Sequence, residues 1–324
     1  MTAGGTSLLS VLSATGPIFI VVTLGFLLTR FGLFRRADMS VFSTFVVKIA
    51  LPVLIFVNIY GRPATDIFQP TFLLTYAGAA MVMFAIAQIY RRIMGRGALR
   101  AAIMGLGMGG TNNGFIGLPI FLILFADWAG IAVGMAMLVD NILIIPLALF
   151  LIGHAAGEGT VVQRLLETVK GVVTHPMVIA IILALLLNSL GIELPTVVER
   201  STGLLAQAST GVALFSVGGM LVGLDVKGAV SDIVMGVAGK LVVMPAVAIG
   251  LLGIYAAVGL PDLPNELRAA AVLTCALPPF SILPALAEPY GEADVATATM
   301  MLSTVLSFVT LSGWMLVLTG MGWL

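Results

Sequence analysis

The sequence predicts an all-α polytopic membrane protein of ten transmembrane helices in two inverted five-helix repeats. Three observations predict it. Apolar residues fill 60% of the 324 positions and charged residues only 9%, with a mean hydropathy of +1.16. A soluble domain carries about 25% charge, so this chain has too little polar surface to cover a globule in water. Its apolar runs are continuous and near the roughly 20 residues that cross about 30 Å of hydrocarbon, whereas a membrane barrel alternates apolar and polar residues in segments of about 10. A polar stretch, His154 to Thr174, divides the runs five and five. An odd number per half inserts the second half upside down relative to the first, which is the arithmetic of an inverted repeat.

The first span runs from Leu8 to Phe31, the second from Met39 to Tyr60 and the third from Phe68 to Tyr90. The fourth covers Leu99 to Ala126 and the fifth Ala129 to Gly153. After the polar connection come Pro176 to Leu194, Val197 to Leu224, Ile233 to Val258, Glu266 to Ala287 and Val295 to Leu318. The first basic residue is Arg30, so the first run has no positive n-region and reads as a retained helix, not a cleaved signal. The connections on one side carry ten basic residues: Arg30, Arg35, Arg36, Arg91, Arg92, Arg96, Arg100, Arg164, Lys170 and Lys227. The other side carries three, Arg62, Arg200 and Arg268. The positive-inside rule then places both termini outside and the central connection in the cytoplasm.

Several classes drop out. Disorder needs low hydrophobicity and high charge. Fifteen basic against fifteen acidic residues leave no net charge to draw nucleic acid. Cys275 is the single cysteine and reads as a buried inert thiol. His154 and His175 have no partners at metal spacing, so no metal site and no cofactor are expected. No Ser-His-Asp or Cys-His arrangement lies in the spans, which argues against an enzyme. A channel would show a continuous polar pore or rings of one charge, and neither repeats here.

The fourth and ninth spans cannot be regular helices. The fourth holds the run from Gly105 to Pro119, with Thr111, Asn112, Asn113 and Gly114 at its centre. Glycine costs up to about 1 kcal/mol against alanine in a helix and proline about 3. The ninth holds Pro278, Pro279 and Pro284 within seven positions, with Ser281 among them. Backbone freed in lipid must find protein partners or line a wet cavity. Both segments are therefore expected to unwind near the midplane and to meet there. Each second half-helix would turn its free N–H groups and positive end toward the centre, a seat for a carboxylate. Close helix packing is the alternative reading of Gly105 to Gly110.

Three ionisable residues lie deep in spans: Asp140 in the fifth, Lys48 in the second and Lys240 in the eighth. A charge at that depth costs at least about 2.5–3.5 kcal/mol, so such residues are usually paired and functional. Asp140 with Lys240 is the expected pair. The alternatives are snorkelling for either lysine and a neutral structural acid for Asp140. Asn141, Gln207 and Asn58 are secondary polar candidates, or else hydrogen-bonding glue between helices.

Asn113-Gly114-Phe115-Ile116-Gly117-Leu118-Pro119 resembles the fourth-span motif of the auxin efflux carrier family, which includes plant PIN-type carriers and bacterial malonate and malate permeases. Ala50 to Phe56, His175-Pro176, Val212 to Gly219, Ala276 to Gly291 and Ser303 to Ser307 resemble its other segments in order. The resemblance implies a fold similar to bile acid:sodium symporters. Spans one, two, six and seven would form a scaffold, and spans three to five and eight to ten a moving transport domain. It implies an organic carboxylate bound at the crossing of spans four and nine by Asn113 first and Asn112 second, with Thr111, Gly114, Pro119, Pro278, Pro279 and Ser281 around it. It also implies a homodimer. The expected function is secondary transport of small organic anions across the inner membrane by an elevator motion; export of a monoanion needs no coupling ion, whereas import would need H+ or Na+, with Asp140 the first coupling candidate and Lys240 and Lys48 beside it. The alternatives are a coupled symporter of another organic anion and an anion channel. The 21-residue central connection departs from the long regulatory loop of the plant carriers.

Overall fold

In the computed structural model, residues 8–61, 68–157, 170, 174, 176–223 and 230–324 are described. Among them every regular element is helical. Most of the central connection, His175, Arg62, Arg164 and Lys227 lie outside the described residues.

Each predicted span has a helical counterpart. Helix α1 covers Leu8–Arg30. The second span is α2 (Asp38–Phe45) and α3 (Leu51–Ile59), joined through a π-helical turn at Val46–Ala50. The third is α4 (Pro70–Met94). The fourth is α5 (Ala98–Gly109), a π turn at Asn113–Gly117 and α6 (Leu118–Leu124). The fifth is α7 (Ala126–Val139), a π turn at Asp140–Ile144 and α8 (Ile145–Ala156). In the second half come α9 (Pro176–Leu190) and α10 (Thr196–Met220). Helix α11 (Val230–Ala238) continues through a π turn at Gly239–Val243 into α12 (Met244–Ala257). The ninth span is α13 (Asn265–Ala276) and the short α14 (Leu283–Ala287), and α15 (Ala293–Gly320) completes the set. Six of these stretches are long and apolar enough to cross a membrane uninterrupted. Four of the ten expected spans fall short: the first and sixth offer only the shorter apolar stretches Ile20–Arg30 and Pro176–Leu190, and the fourth and ninth are broken.

The π turns have a sequence cause. Each is followed by a helix with proline at its second residue: Pro52, Pro119, Pro146 and Pro245. Proline has no N–H and its ring pushes on the carbonyl four residues back, so the turn before it widens. The carbonyl four residues before Pro245 belongs to Leu241, and the Trp314 indole Nε1 donates to it at 2.9 Å. The freed backbone is thus satisfied within the protein, as lipid demands.

Most packing falls within two groups, although α1 also touches α15 and α6, α10 touches α6 and the π turn at Asn113–Gly117, and α6 packs on α7. Helices α1, α2, α3, α9 and α10 pack on one another. Helices α4, α5, α8, α11, α12, α13, α14 and α15 form the other group, and α7 lies against α3 as well as α4 and α13. Within the first group, glycines let backbones touch. A Cβ on Gly25 would stand 2.1 Å from the Phe215 carbonyl oxygen, and one on Gly218 1.9 Å from that of Val22. Small residues are how helices approach closely where lipid supplies no hydrophobic drive. At one end of α3, Tyr60 donates to the Ile192 carbonyl and accepts from the Leu194 N–H, both at 2.9 Å. Asn188 donates to the Ile59 carbonyl and accepts from the Gly61 N–H.

The fourth span unwinds less than its composition suggests. Helix α5 persists through Gly109, and only Gly110, Thr111 and Asn112 leave helical geometry before the π turn. Gly105 and Gly109 instead admit the Phe84 ring. Gly218→Val is expected to lower stability by at least about 1–3 kcal/mol, since its side chain meets rigid backbone. Gly250→Ala meets nothing within 4 Å and should gain up to about 1 kcal/mol of helix propensity. Thermal unfolding of the two variants in detergent checks the contrast.

Candidate functional site

The two breaks touch. The Asn112 N–H donates to the Pro278 carbonyl at 2.9 Å, and Asn112 Nδ2 donates to Ser281 Oγ at 2.8 Å. Asn112 Oδ1 accepts from the Phe115 N–H at 3.2 Å, capping the π turn. Its amide therefore stitches span four to span nine and starts the second half of span four. Gly110 makes the approach possible, because a Cβ there would lie 2.1 Å from the Phe280 ring. Gly114 and Gly117 likewise admit Leu51 and Leu277. Pro119, Pro278 and Pro279 are buried at the same place. The second halves are short, seven residues in α6 and five in α14. Helices this short carry little macrodipole of their own.

Around the breaks lies a chain of buried polar groups. Asn113 Nδ2 donates to Asp140 Oδ2 at 2.8 Å, and the Tyr76 hydroxyl donates to Asp140 Oδ1 at 2.5 Å. Lys240 Nζ donates to Thr111 Oγ1 at 2.6 Å and lies 3.1 Å from Met244 Sδ. Asp140 is 2% exposed and Lys240 0%, a depth at which each charge needs a partner. The expected Asp140–Lys240 ion pair does not form directly. Asp140 takes its donors from Tyr76 and Asn113, and Lys240 sits on Thr111. A carboxylate can hold about four hydrogen bonds, and two neutral donors near Asp140 were closer at hand than the lysine. The acid and the base instead bracket the break, one at each end of Thr111-Asn112-Asn113.

The remaining candidates lie elsewhere. Lys48, in the π turn of the second span, is exposed and away from the breaks. Gln207 is exposed on α10. Asn58 and Asn141 each donate to a carbonyl four residues back on their own helix, those of Leu54 and Met137. Asn58 also packs where Gly130 has no side chain.

Sequence reasoning missed Tyr76. A lone tyrosine inside an apolar span was the available signal, because a buried hydroxyl seeks a partner. It also missed an ionic network at the end of the fourth span that was read as cytoplasmic. Asp232, fully buried at the start of α11, accepts from Arg96 Nε (3.0 Å), Arg100 Nη1 (3.1 Å) and the Tyr90 hydroxyl (3.0 Å). Arg100 Nε also reaches Glu292 at 2.8 Å. These arginines were read as topology signals only, and nothing in the sequence joins residues 130 positions apart. Burial raises the worth of this network and the half-open arginines lower it.

A helical membrane protein whose two broken helices bond to each other, with amides, an acid and a lysine buried beside the breaks, belongs to the membrane transporters. Residues 10–315 match the family described as membrane transport protein, and the chain belongs to it, the auxin efflux carrier family. It is 26% identical over 306 residues to a Rhizobium meliloti protein named "Putative malonate transporter", covering 92% of each chain. It is 24% identical to an "Uncharacterized transporter" of Methanothermobacter thermautotrophicus, over 93% of this chain and 96% of that one. It is 27% identical to the "Uncharacterized transporter YfdV" of Escherichia coli over 62% of this chain and 66% of that one. Family and relatives point to a transporter in place of an enzyme.

Asp232→Ala leaves two guanidinium groups without their shared carboxylate. It is expected to cost about 2 kcal/mol, below the roughly 3–5 of a fully buried pair because both arginines are partly solvated. A lowered unfolding temperature, restored in part by the Asp232→Glu variant, checks it.

Proposed function

We propose that the chain is a secondary transporter of small organic anions that works by elevator-type alternating access. The observation that carries this reading is the pair of helix breaks joined through Asn112, Pro278 and Ser281, with Asn113, Thr111, Asp140 and Lys240 buried around them. Breaking two helices in a bilayer is costly, and transporters use such breaks to seat substrate at the midplane.

The reading includes ten spans in two inverted repeats, entering the inner membrane with both termini outside. The mutual packing of α1, α2, α3, α9 and α10 supports a scaffold of spans one, two, six and seven. The packing of α4, α5 and α8 with α11 to α15 supports a transport domain of spans three to five and eight to ten. The Asp232 network ties three spans of that second group at one end, which suits a body that moves as a unit. A homodimer through the scaffold completes the reading.

Mono- and dicarboxylates such as malonate and malate, or auxin-like aromatic carboxylates, are the proposed cargo. A lysine, a threonine hydroxyl and amide groups recognise a carboxylate by hydrogen bonds and charge. The malonate in the name of the Rhizobium relative supports the dicarboxylate end of this range. Export of a monoanion from a negative interior needs no coupling ion, since 100 mV supplies about 2.3 kcal/mol per charge.

Purified protein in liposomes tests the reading. Radiolabelled malonate, malate and indole acetate are offered under an imposed potential, a pH gradient and a sodium gradient. Saturable uptake of at least one of them is expected. Asn113→Ala, still folded by size exclusion, should lower that uptake at least about tenfold, the worth of one or two charge-assisted hydrogen bonds. Unchanged uptake in that variant overturns the site.

A further inference from the structure

Among the described residues, Asn113 Oδ1 at the break in the fourth span and Thr274 Oγ1 just before the break in the ninth are buried with no hydrogen-bond partner. Asn113 Oδ1 is shielded from solvent and accepts nothing, while Nδ2 of the same amide donates to Asp140. The amide orientation follows from chemistry: Asp140 as a carboxylate can only accept, so Nδ2 must face it. That leaves Oδ1 over Gly117, 3.6 Å from where its Cβ would be. A buried acceptor left open is unfavourable, because it has given up water for nothing. It also faces the wrong way for the cargo. An anion needs donors, and the amide spends one of its two N–H groups on Asp140.

Both difficulties vanish if Asp140 takes up a proton. We propose that Asn113 is a two-position amide switch that couples proton binding at Asp140 to carboxylate binding at the break. This rests on the transporter reading above and specifies how the same site is driven. In the first position Asp140 is a carboxylate and accepts from Asn113 Nδ2. In the second, one proton has formed an O–H bond on Asp140 Oδ2, that hydroxyl donates to Asn113 Oδ1, and the amide has turned by half a rotation. Its two N–H donors then face the site and bind the substrate carboxylate. One proton enters with each carboxylate, and both leave on the other side when the amide turns back. A monocarboxylate then moves without net charge, and a dianion carries one negative charge.

The surrounding groups suit this assignment. Tyr76 on α4 donates to the other carboxylate oxygen in both positions and keeps the acid in place. Lys240, beyond α11, is held on Thr111 and Met244, so it does not lock Asp140 in an ion pair. Cys275 on α13 is a further titratable group near both. Thr111 stands beside Tyr76, so the lysine, the two hydroxyls, the acid and the amide form one chain around the break. By linkage, what one ligand does for the other is reciprocal. Substrate affinity should therefore rise as pH falls, by up to about tenfold per pH unit for one proton.

The test uses proteoliposomes of the full chain and radiolabelled malonate, with malate and indole acetate beside it. Counterflow without any gradient reports binding and exchange, and uptake under an inward proton gradient at clamped potential reports coupling. The wild-type protein is expected to accumulate substrate with the gradient, and its half-saturating concentration in counterflow should fall with pH. Asp140→Asn carries a permanent amide donor toward Asn113 Oδ1. Its counterflow should be slower, its half-saturation flat in pH, and its gradient-driven accumulation lost. Tyr76→Phe should keep coupling and move the pH profile to the alkaline side, because a carboxylate that loses a donor takes up a proton more readily. It decides the matter if Asp140→Asn does not fold. Accumulation retained by Asp140→Asn, a wild-type affinity flat in pH, or an unmoved Tyr76→Phe profile overturns the switch. Absence of counterflow for all three carboxylates overturns the transporter reading itself, which these arms keep distinct from failure of coupling.

Discussion

The backbone of an interrupted helix in lipid must find its hydrogen bonds inside the protein. Nearly everything at the centre of this molecule follows from that constraint. The fourth and ninth spans each lose regular helix over a few residues, and each supplies what the other lacks. Asn112 is the joint. Its main chain bonds to Pro278, one end of its amide to Ser281, and the other end caps the turn that restarts its own span. Gly110 and the Phe280 ring fit at the same contact. Were the breaks apart, each would leave unpaired donors and acceptors in an apolar medium, at several kcal/mol apiece.

The polar groups around this joint are organised by what each can donate or accept. Asp140 faces neutral donors on two sides, and Lys240 faces a hydroxyl and a thioether. Held apart by one tripeptide, the two ionisable side chains leave the break flanked by an acceptor and a donor of opposite character. At the other end of the same helices, Asp232 gathers Arg96, Arg100 and Tyr90. Together these contacts hold the broken helices to spans three, five, eight and ten.

Much of the plan was legible in the chain. The limits of the spans follow from apolar length, and the two interruptions follow from residues that cannot continue a helix. Asn112, Asn113 and Ser281 stood out because polar side chains inside such breaks need partners. Asp140 and Lys240 stood out because buried charge is expensive. Tyr76 and Asp232 did not stand out. Tyrosine is tolerated in many apolar settings, and an aspartate at a span's edge reads as a solvated end. Their roles depend on residues 64 and 132 to 142 positions away. No local pattern carries such a distance.

The sequence by itself therefore determined the solvent of this protein, the approximate ends of its helices and the two places where helix must fail. Those are local matters of transfer free energy and backbone chemistry, decided residue by residue. It also carried the family in the order of its motifs. Only the tertiary structure decided that helix persists as far as Gly109, that glycines 105 and 109 serve packing against Phe84, and that Lys240 belongs to Thr111 and not to Asp140. Partner choice among buried polar groups depends on differences of an ångström in where helices come to rest. Those positions follow from the packing of the whole bundle, which no single segment specifies.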